Sequence, residues 1–183
     1  MFAGGDAGGC YTVDCNAKKQ RQIYCGLSAR PYQLYQFNPD LNITTDFQRF
    51  DELCVAAAKA TSVVNKVGLL EKAIEQYQGK LLSSAEGEHW LVHTANRYHL
   101  AYMNIVNELL KQLMSFKAYD LIHQDAAKAL TVAPENTKAY YWLIQSYKSQ
   151  NMDEMAEGEL VAAHQKLSEE EYQKLLSELE RTK

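Results

Sequence analysis

The sequence has no surplus of positive charge, no long apolar run and few cysteines, and each lack removes a class of function. With 19 Lys and Arg against 23 Asp and Glu, the 183-residue chain carries a formal net charge of −4. Nucleic-acid binders usually grip phosphates with a basic stripe or a strongly basic domain, so this chain is not built to hold DNA by charge. No segment approaches the roughly 20 apolar residues that span a bilayer. The N-terminus offers Gly and Asp where a signal peptide has an apolar core, so a cytoplasmic protein is expected. Cys10, Cys15, Cys25 and Cys54 are too few and too lopsided for a secreted disulfide scaffold. The first three lack the tight Cys-x2-Cys knuckle and a fourth ligand nearby, so no zinc site is expected.

Chemistry-bearing motifs are missing as well. There is no Gly-rich phosphate loop between strand and helix, and no nucleophile elbow. His89 and His93 have the helical spacing that lets two imidazoles reach one zinc, with His99 further along. No His-Glu-x-x-His pattern completes the site, so these read as capping and core-edge histidines. No catalytic residue, metal or cofactor is assigned, and enzyme activity is not expected.

What the chain does contain is helical periodicity on an ordinary globular composition. Apolar residues make up 46% of it, enough to bury a real core. Residues 1–44 form a leader that holds five of the nine glycines and a stretch, RPYQLYQFNPDLNI, suggesting one or two short strands. Residues 45–183 form the domain. Thr45 and Gln48 make a capping box for a first helix with Phe47, Phe50, Cys54 and Ala57 on one face. Val67, Leu70, Ile74 and Tyr77 stripe a second that stops at Gly79. Ser83 and Glu86 can cap a third, running to Ser115, with Trp90, Thr94, Tyr98, Ala101, Ile105, Leu109 and Leu113 on one side. Tyr102, Val106 and Leu110 add a second apolar edge, so this long helix must pack on more than one flank. Shorter helices are expected at 118–132, 137–149, 153–166 and 169–181, the last capped by Ser168 and Glu171 and greasy on a single face, as an end-cap requires.

A shift of 34 residues, the tetratricopeptide period, brings apolar positions into register. Tyr140, Leu143 and Tyr147 fall on Val106, Leu109 and Leu113, and Ala156, Leu160 and Ala163 fall on Ile122, Ala126 and Ala129. Small residues belong where antiparallel helices approach most closely, and Pro134 sits at a repeat exit where no helix can continue. The expected fold is all-α: a tetratricopeptide-like superhelix of helical hairpins, about seven helices with a long central one.

Four segments in this order resemble a known family: TTDFQRFDELCVAA with Asp46 and Phe50, LLEKAIEQYQGKLL, Trp90 heading the long helix, and APENTKAYYWLIQSY. Residues from about Asn42 to Leu179 resemble the bacterial transcriptional activator domain, the tetratricopeptide-like regulatory domain of the antibiotic regulatory protein family of transcription factors. The resemblance implies a non-catalytic module that binds a protein partner or self-associates. In that family a winged-helix DNA-binding domain normally precedes this one, and YQLYQFNPDLNITTD looks like the tail of its final hairpin. Only 45 residues precede Asp46, with no recognition helix among them, so direct DNA binding by this chain is not expected.

The groove expected to receive a partner follows from the repeat. Lys138, Tyr141, Gln145 and Lys148 lie on the side that such repeats turn to their concave face, and one repeat earlier that side holds Asn104, Asn107 and Lys111. An ordinary solvated face is the competing reading of the same seven residues. A free-standing scaffold and a small-molecule sensor with an apolar pocket beside the long helix are the rival functions.

Overall fold

The computed structural model describes residues 44–80 and 89–181, and these fold as seven helices without a strand among them. The leader, its expected strands and the expected Ser83–Glu86 cap lie outside the described residues. The helices are α1 (Asp46–Lys59), α2 (Val63–Gln76), α3 (His89–Ser115), α4 (Tyr119–Val132), α5 (Thr137–Ser149), α6 (Asp153–Lys166) and α7 (Glu169–Arg181). Short turns fold α1 with α2, α3 with α4 and α5 with α6, while α3 packs along α5 and α5 along α7. This is the tetratricopeptide-like superhelix, with α3 as its spine.

Local signals set the helix ends. Thr45 Oγ1 accepts from the Gln48 amide at 3.2 Å and the Thr45 amide donates to Gln48 Oε1 at 3.0 Å, the reciprocal capping box that starts α1. The Glu171 carboxylate accepts from the Ser168 amide at 3.1 Å and from its hydroxyl at 2.7 Å, which starts α7. Asn136 starts α5 by accepting from the Ala139 amide at 3.2 Å. α4 begins at Tyr119, one residue later than expected, and α2 stops at Gln76 rather than at Gly79. Tyr77 leaves the helix there in extended backbone, because its ring is 3% exposed and stacks on Tyr102 with centroids 4.3 Å apart. Core burial of that ring outweighs one more helical turn. Gly79 follows at φ 137°, a conformation L side chains rarely adopt.

Two cores meet at α5. Ala139 and Leu143 point into the larger, built from α1 to α4 around Phe50, Leu70, Tyr102, Val106, Leu109, Leu113, Ile122 and the alanines of α4. Tyr140 and Ile144 point the other way, onto Ala156 and Ala163 of α6 and Leu175 and Leu179 of α7. Because each pair is spaced i, i+4, a single 13-residue helix serves both cores with adjacent stripes. Every position of the 34-residue register is buried except Tyr147 and Leu160, which are half-buried.

Candidate protein-binding groove

The inner face is lined by α3, α5 and α7. An open cleft of about 370 Å³ lies there, bordered by Asn107 and Lys111 of α3, Lys138, Tyr141 and Trp142 of α5, and Glu178 and Arg181 of α7. Four of the seven expected groove residues, Asn107, Lys111, Lys138 and Tyr141, therefore come together. Asn104 is exposed on α3, and Gln145 and Lys148 are half-buried on α5, none of them at the cleft.

Several side chains that border the cleft hold one another in place. The Trp142 indole N–H donates to Asn107 Oδ1 at 2.8 Å, tying α5 to α3 and fixing the Asn107 amide. Tyr141 meets the Trp142 ring edge-on, at 4.9 Å and 80°, an arrangement that suits the ring quadrupoles. Lys138 Nζ lies 5.7 Å from the Tyr141 centroid and 2.7 Å from both carboxylate oxygens of Glu178. Three cations, Lys111, Lys138 and Arg181, thus border the cleft against one carboxylate.

Sequence reasoning missed Trp142, Glu178 and Arg181. A one-repeat shift carries Asn107 to Tyr141, not to Trp142, so the indole bond breaks the repeat rule. Glu178 and Arg181 come from a helix whose only legible role was to cap the stack. Lys138, expected on the groove side, is paired there with Glu178.

Other polar clusters do not border the cleft. Ser146 Oγ lies 2.9 Å from His123 Nε2, with Asp120 acting electrostatically on the ring, and so resembles a nucleophile with its base. Ser146 is 0% exposed, however, and its hydroxyl donates to the Leu143 carbonyl at 2.7 Å. An oxygen so deeply buried is out of reach of a substrate, which a nucleophile must meet. Burial pulls the His123 pKa down, with Asp120 working against it. The thiol of Cys54 is pushed up to about 11 by burial and by Asp51, which leaves it a poor nucleophile. His99 is buried between the Tyr77 hydroxyl, 3.0 Å from Nδ1, and Glu135, 2.9 Å from Nε2, locking α2 and the α4–α5 turn to the spine. Among the described residues no three His, Cys, Asp or Glu side chains gather to hold a metal, and no helix is long and apolar enough to cross a membrane.

Stacked helical hairpins around a long spine, with a polar and aromatic inner cleft, define a tetratricopeptide-like helical-repeat domain. The family model of the bacterial transcriptional activator domain matches residues 45–182, and the chain belongs to that family. Searches among curated proteins and among solved structures gave no match. The family is a regulatory one, and its members are transcription activator-type domains.

Proposed function

We propose that this domain regulates transcription by recognition without chemistry, docking an acidic segment of a protein partner in the groove between α3, α5 and α7. One observation carries the reading: an aromatic anchor, Tyr141, is buttressed by Trp142 and ringed by Lys111, Lys138 and Arg181. Aromatic anchors dominate binding energy at interfaces, while surrounding charge steers and orients the partner. The cleft is open and edged by charged side chains, which favours a polypeptide over the small apolar ligand a sensor would hold. The acidic balance of the chain speaks against duplex DNA in the same groove.

The test is site-specific photo-crosslinking in cells. A benzophenone amino acid replaces Asn104, exposed on the inner side of α3, or Gly158, exposed on α6 where an added Cβ meets nothing within 4 Å. The expected result is a protein adduct from position 104 that disappears in Tyr141→Ala, and none from position 158. An adduct from position 158 alone would move the interface to the outer face.

A further inference from the structure

We infer that Glu178 is an internal stand-in for the partner's carboxylate, so that α7 holds Lys138 occupied until an incoming acidic group displaces it. The inference rests on the groove reading above and adds how the groove is regulated.

Three observations carry it. Lys138 Nζ is 2.7 Å from both Glu178 oxygens, so the cation best placed beside Tyr141 is already neutralised by a carboxylate from this chain. The pair is not what anchors α7, because Leu175 and Leu179, at 0% and 4% exposure, bind that helix to the core with Tyr140 and Ile144. The side chains of Lys138 and Glu178 remain 46% and 36% exposed, and ion pairs of that kind are screened by water and hold weakly. A bond that is short, peripheral and weak can exchange partners without unfolding anything. Arg181 lies one turn beyond Glu178 on the same helix and borders the same cleft. At i, i+3 it is the neighbour able to receive Glu178 once Lys138 turns to the partner. Displacement therefore hands Lys138 to the incoming carboxylate, which is recognised by taking over the geometry Glu178 now occupies.

The experiment uses the full chain as wild type, Glu178→Gln and Lys111→Ala. Two readouts are needed. The first is the acylation rate of Lys138 by an amine-reactive ester, followed by mass spectrometry. The second is binding of a fluorescein-labelled peptide Gly-Asp-Phe-Asp-Gly, with Gly-Asn-Phe-Asn-Gly as control, by anisotropy at low salt. Glu178→Gln is expected to acylate faster at Lys138 and to bind the acidic peptide about 3- to 5-fold tighter, the range that loss of one exposed ion pair allows. Lys111→Ala should bind it more weakly, and the amide control should not respond. Equal Lys138 reactivity in wild type and Glu178→Gln would overturn the stand-in role whatever the peptide does. Equal peptide affinity in those two, with weakening in Lys111→Ala, would overturn it while leaving the groove in place. Indifference of peptide binding to Lys111→Ala as well would remove the groove reading itself and this inference with it.

Discussion

Lys117 and Asn151, one 34-residue repeat apart, hold the same left-handed backbone, at φ 57° and 58°. Each follows the last turn of an inner helix and closes it in the same way. The Lys117 amide donates to the Met114 carbonyl and the Ala118 amide to Leu113, both at 3.0 Å; the Asn151 amide donates to Lys148 and the Met152 amide to Tyr147, again at 3.0 Å. These are two Schellman motifs in register, which satisfy carbonyls the helix ends would otherwise leave unpaired. Their coincidence reports the repeat through the backbone, independently of any side chain.

The two positions should respond differently to glycine. Asn tolerates the left-handed region, whereas for a residue such as Lys it costs roughly 1–2 kcal/mol. Glycine removes that strain but gives back roughly 0.5–1 kcal/mol as extra freedom of the unfolded chain. Lys117→Gly is expected to stabilise by about 0.5–1 kcal/mol, and Asn151→Gly to change little. Urea unfolding with the slope held constant would measure both. A destabilised Lys117→Gly would mean that the Lys117 side chain contributes more than its backbone strain costs.

Close packing of α6 on α5 supplies a second prediction. Ala156 and Ala163 are 1% and 0% exposed against Tyr140 and Ile144, and a close-packed interior has no room for three further carbons. Ala156→Leu should cost about 1–3 kcal/mol or more through overpacking. Lys148→Ala, on the half-buried flank of α5, should cost little. Equal shifts in Tm for the two would show that α6 does not press on α5 as the register requires.

Acid should relieve a strained carboxylate between α2 and α4. Burial holds Asp125 above the usual carboxylate range, with Glu75 adding to the shift and Lys128, at 3.5 Å, acting against it. Glu71 is raised as well, first by its own burial and then by Asp125 and Glu75. A carboxyl whose folded pKa is raised destabilises the fold while ionised, and that penalty lifts as the pH falls through the folded value toward the unfolded one near about 4. Asp125→Asn is therefore expected to raise Tm at pH 7. Its advantage over wild type should shrink as the pH falls and vanish below about 3. Melting curves across that range would decide it, and an advantage that grew in acid would contradict the sign.

Much of this was legible because it is periodic. The capping boxes at Thr45 and Ser168, the buried stripe of α3 and the alanine register all follow from spacing along a single helix or from one repeat shift. What escaped was set by contacts between helices far apart in sequence. Tyr77 left α2 early because Tyr102, on the next helix, offered its ring a stacking partner. Trp142 found Asn107 off the repeat register, and Glu178 reached back across 40 residues to Lys138. None of these leaves a local signature, and the last two set which amide and which cation at the cleft are already engaged. Of the three lysines expected along the groove, Lys111 borders the cleft beside Arg181, Lys138 is paired with Glu178, and Lys148 lies away from it.

That arrangement fixes the order of effects expected once a partner is in hand. Tyr141 is half-buried, braced edge-on by Trp142 and roofed by Lys138, so a contacting apolar group would be desolvated there more fully than elsewhere on the groove. Tyr141→Ala should weaken binding by about 2 kcal/mol or more, chiefly through faster dissociation. Lys111→Ala and Arg181→Ala should instead slow association and flatten its salt dependence, because long-range steering depends on cations at the cleft edge. Lys138→Ala should slow association less than Lys111→Ala, since Glu178 cancels most of the Lys138 field before a partner arrives. Surface plasmon resonance at two ionic strengths separates the two rate constants. If all four changes leave both rates untouched while Val161→Asp, on the exposed side of α6, abolishes binding, the partner docks on the convex face and the inner groove is only a solvated surface.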